Sequence, residues 1–254
     1  MAGSMPVLVS VTTRPACGTR DSSHAPPPGH DRRMTRPVAL LDLDGTLMDS
    51  APGVVSSVRH AYEHLGLRAP GTAAMRSFAG PPISWSFPEH GVPADRVDEA
   101  VRVYGEHFGR VGVWDTRVFD GIPAALAALR DAGVLLVVAT AKPTRWAEPI
   151  CAEVGLTPLL DHLVGAPDDE SESKGQIVGR ALAWVRATTG DDGFTAVMLG
   201  DREHDVHGAA EHGVACLGAG WGYGAHGELR AAGAVDVLAS PADVPAAVLA
   251  RITL

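Results

Sequence analysis

The sequence predicts an α/β protein: a parallel sheet with helices on both faces, and a helical segment inserted after the first strand. Three observations lead there. Short apolar runs, Val38 to Leu43 and Val134 to Thr140, alternate with longer segments of helical spacing, and a strand buried on both faces reads as such a run. The first run ends in acids, and parallel sheets bind ligands where their strands end. From about residue 52 to 118 the alternation stops and only helices are legible.

Residues 1–36 are rich in Pro, Ser, Thr, Gly and Arg, with Pro26-Pro27-Pro28-Gly29 at their centre. They carry neither helical nor strand period and are expected to be a disordered N-terminal extension. A start at Met34 would remove it; a native N-terminal mass ending in Met1 or Ala2 would exclude that start. The first strand, Val38 to Leu43, follows. Pro52 to Leu65 and Asp95 to Phe108 place small or apolar residues at helical spacing, with Asp98, Glu99, Arg102 and Glu106 forming the polar side of the second. Ile122 to Ala132 is an Ala/Leu helix with Pro123 at its start and Gly133 past its end. Then come a strand at Val134 to Thr140, a helix at Trp146 to Val154, a strand at His162 to Ala166 and a long helix at Gly175 to Thr188. A strand at Ala196 to Leu199, a helix at Asp205 to His212 and a strand at Val214 to Leu217 complete the pattern. The expected domains are a core of residues 37–51 and 119–254 and a helical cap of residues 52–118 lying over the carboxyl edge of the sheet.

Composition narrows the function. A net charge of -9 argues against a nucleic-acid polymer as partner, yet one local cluster can still hold a small anion. No apolar run reaches the ~20 residues of a spanning helix, so no membrane partner is expected. Cys17, Cys151 and Cys216 are far apart and odd in number, which suits a reducing cytoplasm. Oligomeric state is not legible.

Four strand or helix ends carry chemistry. Asp42 and Asp44, in Asp42-Leu43-Asp44-Gly45-Thr46, are two apart and can share one pocket. Paired carboxylates repel, so the pocket calls for a cation or a shared proton; with Mg²⁺ bound, one can attack phosphorus and the other act as acid and then base. Thr140 and Ala141 close the second strand with a hydroxyl and backbone N–H groups that can hold phosphate oxygens. Lys174 enters the long helix, where its charge and the helix N-terminus favour an anion. Asp201 and Asp205 are four apart and offer the hard oxygens Mg²⁺ prefers.

In this order the motifs resemble the haloacid dehalogenase-like hydrolase superfamily, and they span residues 42 to 205. The resemblance implies a Rossmann-like core with a mobile helical cap. It implies Asp42 as nucleophile, Asp44 as acid/base, Thr140, Ala141 and Lys174 on the phosphoryl group, and Mg²⁺ held by Asp42, the carbonyl of Asp44 and Asp201. Asp205 would be a further ligand or a support behind it. The dehalogenases of this superfamily lack an acid at the position of Asp44, so its presence here favours phosphoryl transfer. Thr140-Ala-Lys-Pro-Thr144, Gly200-Asp-Arg-Glu-His-Asp205 and Gly220-Trp-Gly-Tyr-Gly224 are similar to phosphoglycolate phosphatases and bacterial 5′-nucleotidase-like members. Gly80-Pro81-Pro82 resembles a cap loop facing the active site in these relatives. The expected partner is a small phosphorylated metabolite, phosphoglycolate-like or a nucleoside 5′-monophosphate, hydrolysed through an aspartyl-phosphate.

Other features are read as structural. His60 and His64 could bind zinc by spacing but lack completing ligands; His204 and His207 are expected on a helix surface; Trp85, Tyr104, Trp114 and Trp146 are expected to pack. Three alternatives remain: a phosphomutase on the same fold, a non-catalytic phosphoryl-binding protein on that fold, and a dinucleotide oxidoreductase using Gly220-Trp-Gly222-Tyr-Gly-Ala225, with Asp236 as its acid.

Overall fold

The structure, a computed structural model, describes residues 35–189 and 193–252. The expected extension lies outside the described residues apart from its last two. Arg36 is no longer extension: it opens β1 (Arg36–Leu41), pairing with Phe194. Along β1 the side chains alternate between two cores: Ala39 and Leu41 join one, Val38 and Leu40 the other. All four are fully buried, which is why the sequence shows an unbroken apolar run. Burying each such leucine stabilises the fold by about 1.5–3 kcal/mol.

The chain then forms β2 (Met48–Asp49), α1 (Ala51–His64), α2 (Thr72–Arg76), α3 (Ile83–Glu89), α4 (Val97–Arg110) and β3 (Arg117–Val118). The helix expected from Asp95 starts as a 3-10 turn over Ala94–Arg96. α5 (Ile122–Asp131), β4 (Leu135–Pro143), α6 (Thr144–Glu153), β5 (His162–Ala166) and α7 (Lys174–Thr189) follow. After β6 (Phe194–Gly200) come α8 (Glu203–Ala210), β7 (Ala215–Ala219), α9 (Glu228–Ala232), β8 (Asp236–Leu238) and α10 (Val244–Ile252).

The main sheet runs β5-β4-β1-β6-β7-β8, parallel throughout. From β1 the chain builds outward through β4 and β5, then crosses back to β6 on the other side. The direction of winding therefore changes at β1, and a crevice opens beyond its carboxyl end. One core packs α7 residues Ile177, Val178, Ala181, Leu182 and Val185 beneath the sheet. The other is continuous from α5 and α10 through α1 into the helical insertion, reaching Phe78, Phe87, Tyr104 and Phe108. The chain enters and leaves that insertion through β2 and β3, an antiparallel pair with Met48 opposite Val118 and Asp49 opposite Arg117.

Candidate active site

Three strand ends and two helix starts meet at the crevice. Asp42 follows β1, and its N–H donates to Leu199 O of β6 at 2.9 Å. Thr140 lies near the end of β4, where pairing with β5 shifts between Thr140 and Pro143. Asp201 follows β6, and Asp205 stands in the first turn of α8. Lys174, at the start of α7, draws them together: its Nζ lies 2.5 Å from Asp42 Oδ1 and 2.7 Å from Asp205 Oδ1. Oxygens of Asp42, Asp201 and Asp205 all fall within 4.8 Å of one another, and all three residues are buried. Asp42, Asp44, Thr140, Ala141, Lys174, Asp205, Gly80 and Pro81 line one cavity of about 180 Å³.

Each acid is aimed by its neighbours. Asp201 accepts from Thr46 Oγ1 at 3.1 Å and from the Tyr223 N–H at 2.7 Å. Asp205 Oδ2 accepts the Arg202 N–H at 3.1 Å, closing the start of α8. Gly45, at φ 80°, turns the chain back so closely that a Cβ there would collide with the Asp201 carboxylate. The Asp44 carboxylate stands outside the Asp42–Asp201–Asp205 trio, accepting from Ser50 Oγ and pairing with Lys142 Nζ at 3.1 Å.

The electrostatics call for more positive charge than Lys174 supplies. Burial, opposed by Lys174 and reinforced by Asp205 and Asp44, pushes the Asp42 carboxyl up to about 7. Burial, then Asp205 and Asp42, push Asp201 well above the usual range. Lys174 is held above its usual value: burial would lower it, but Asp205 and Asp42 outweigh that. Three buried carboxylates, only two of them paired with the one ammonium, bring hard oxygens together in a donor set that fits a divalent cation.

Four features escaped the sequence reading. Lys142 is almost fully buried between Asp44 and the Phe108 ring of the insertion, 4.9 Å from its centroid. Arg202 donates from Nε to Glu228 Oε1 at 2.8 Å, while its Nη1 is buried without a partner near Gly80. The glycine-rich loop after β7 does not stand free to cradle a pyrophosphate: Gly222 abuts Asp201 with no room for a Cβ, and the Tyr223 hydroxyl donates to Asp49 Oδ1 at 2.9 Å. Trp85 does not pack: it is 61% exposed at the mouth of the cavity, and Trp114 is 51% exposed. Tyr104 and Phe108 pack as a stacked pair, with Trp146 edge-on to Phe108. His60 stacks on His107 and His64 faces Glu99, whereas the exposed His204 and His207 border the cavity mouth.

The haloacid dehalogenase-like hydrolase family matches residues 39–219. A 5′-nucleotidase of Pseudomonas aeruginosa is 37% identical over 205 residues, 79% of this chain and 90% of that protein. Tyrosine-protein kinase PtkA of Mycobacterium tuberculosis is 39% identical over 188 residues, 74% of this chain and 63% of that protein. The crystal structure of a predicted phosphatase from Clostridium acetobutylicum superposes with a TM-score of 0.76 at 32% identity, covering 85% of this chain and 99% of that one. The chain belongs to the haloacid dehalogenase-like hydrolase family.

Proposed function

We propose that this member of the haloacid dehalogenase-like hydrolases is a Mg²⁺-dependent phosphatase that cleaves small phosphate monoesters through an aspartyl-phosphate on Asp42. The observation that carries the reading is the bridge made by Lys174 between Asp42 and Asp205, which ties the first and last acidic motifs into one buried cluster.

Asp42, the backbone carbonyl of Asp44 and Asp201 would hold the ion, with Asp205 beside them. When bound, Mg²⁺ neutralises charge on the phosphoryl oxygens and on the carboxylate cluster. Thr140, Ala141 and Lys174 hold the phosphoryl group in line with Asp42. An Asp42 oxygen bonds to phosphorus as the bond to the ester oxygen breaks, and Asp44 gives its proton to that leaving oxygen. Asp44 then takes a proton from water as the water oxygen bonds to phosphorus. The acyl-phosphate bond breaks, phosphate leaves and the Asp42 carboxylate is restored. Helices α1–α4 act as a cap over this site, excluding bulk water and meeting the leaving group. The cavity beneath them, about 200 Å³, is lined by Phe78, Tyr104, Phe108 and Trp146 together with Lys142 and Arg145. That mixture suits a compact polar leaving group or a nucleoside. The buried free thiols of Cys151 and Cys216 suit a reducing cytoplasm.

The test is hydrolysis of p-nitrophenyl phosphate. Nitrophenol and inorganic phosphate should appear in equal amounts, require Mg²⁺ and stop with EDTA. No hydrolysis with Mg²⁺ present sinks the reading. Nitrophenol exceeding phosphate when a sugar phosphate or a tyrosine peptide is added marks transfer to an acceptor other than water, as in a mutase or a kinase.

A further inference from the structure

α3 begins without a cap of its own, because the residue before it is Pro82, whose side chain offers no acceptor. The Ile83 N–H donates instead to Glu170 Oε2 at 3.2 Å, 87 residues further along the chain. Glu170 lies between β5 and α7 with φ 51°, the one non-glycine residue of positive φ among those described. A side chain tolerates that region only where its surroundings enforce it. Here they do. The Glu170 N–H donates to Pro167 O at 3.0 Å, Asp168 pairs with Arg145 at 3.0 Å, and Asp169 accepts the Ser171 N–H at 3.1 Å. Burial pushes the Glu170 carboxyl upward, opposed by the Ile83 N–H and by Lys142 and Arg145. Glu170 shares its cavity with Gly80, Pro81 and Pro82, and these three also line the cavity that holds Asp42 and Lys174. The strained turn therefore aims a carboxylate out of the core at the first residue of an insertion helix.

We propose that Glu170 is a positioning residue that caps α3 from the core and so holds the Gly80-Pro81-Pro82 loop down over the Asp42–Asp44 pocket. This rests on the reading that phosphoryl transfer takes place there. Without the latch the closed arrangement is less populated, and apparent substrate affinity falls by the same fraction. Saturating substrate restores closure through its own contacts, so kcat is kept.

Two variants of the full chain test it. Glu170→Gly removes the carboxylate and relieves the positive φ; Glu170→Gln keeps an acceptor. Without substrate, amide hydrogen exchange at Ile83 should quicken about tenfold in Glu170→Gly and stay near wild type in Glu170→Gln. With p-nitrophenyl phosphate and Mg²⁺, KM should rise about tenfold in Glu170→Gly at unchanged kcat, and within about twofold in Glu170→Gln. The melting temperature of Glu170→Gly should stay close to wild type, since relief of strain offsets the lost bond. Unchanged Ile83 exchange overturns the proposal, as does a fallen melting temperature with KM unmoved, which marks a purely structural role. A wild type that protects Ile83 but hydrolyses nothing brings down the phosphatase reading and with it any use of the latch. A hydrolysing wild type whose KM ignores Glu170 brings down the latch alone.

Discussion

On the sheet side of the crevice, Asp42 and Asp205 pair with Lys174, Asp201 stands beside the two acids, and all three carboxylates are buried. On the insertion side, Phe78, Phe87, Tyr104 and Phe108 meet edge-on or stacked, with ring centroids 5.4 to 6.3 Å apart. The first region is charge-dense, and each acid is oriented by hydrogen bonds or ion pairs. The second is held by aromatic area, and polar links tie it to the core at a few points, Ile83 with Glu170 and Phe108 with Lys142 among them. Removing one partner from the first region leaves a buried charge unmatched, which is costly. Removing one contact from the second changes fit more than charge. In the proposed reaction the sheet edge would carry the chemistry and the insertion would choose what reaches it.

The comparison breaks or sharpens at four places. The largest effect is expected for Asp42→Asn, which keeps the shape and removes the proposed nucleophile: phosphate release should fall on the order of 10⁴-fold or more. Circular dichroism should show an intact fold, and activity near wild type would end the covalent role. Next is the pH dependence of the metal-free protein. Asp42 is raised from 3.8 to about 7, so the folded state holds a proton that the unfolded state releases. Its contribution is most favourable below about 4 and is lost as pH rises through about 7. Mg²⁺ should therefore raise the melting temperature more at pH 8 than at pH 5, and equal shifts would count against a cation in the cluster. Third, Trp85→Ala should leave folding intact and raise KM for an aryl phosphate about two- to tenfold, the size of one aromatic contact. An unmoved KM would leave the exposed ring without a part in recognition. The smallest effect is set by Glu106→Gln, which breaks an exposed pair with Arg102 on α4. Stability measured in urea should change by less than about 1 kcal/mol and activity not at all.

What the sequence could reveal depended on the distance over which each signal acts. β1, β4 and β6 were legible because burial on both faces writes an unbroken apolar run. Asp42, Asp44, Lys174, Asp201 and Asp205 were legible because motif order survives without knowledge of the fold. Lys142 was passed over because the carboxylate that defines it, Asp44, is paired only across the folded crevice. Tyr223 was hidden by a glycine pattern that suggests a nucleotide loop but here lets backbone approach Asp201. β2, β3 and β8 span two or three residues each, too short for any period. The exposure of Trp85 and the backbone of Glu170 are set by the meeting of two regions, and neither leaves a trace in local sequence.

The paired strands β2 and β3 have a consequence for how such a chain can diversify. Because Met48 faces Val118 directly across one ladder, everything between them forms a loop whose ends are already joined. Changing the length of the turns within that loop adds only a slowly growing entropic cost, whereas exchanging its helices must also replace the apolar surface they share with the sheet; the register of β1 with β4 and β6 need not change. A graft made at Asp49 and Arg117 that matches this surface would, under the proposed function, exchange selectivity as a unit while Asp42, Asp201 and Asp205 keep their spacing.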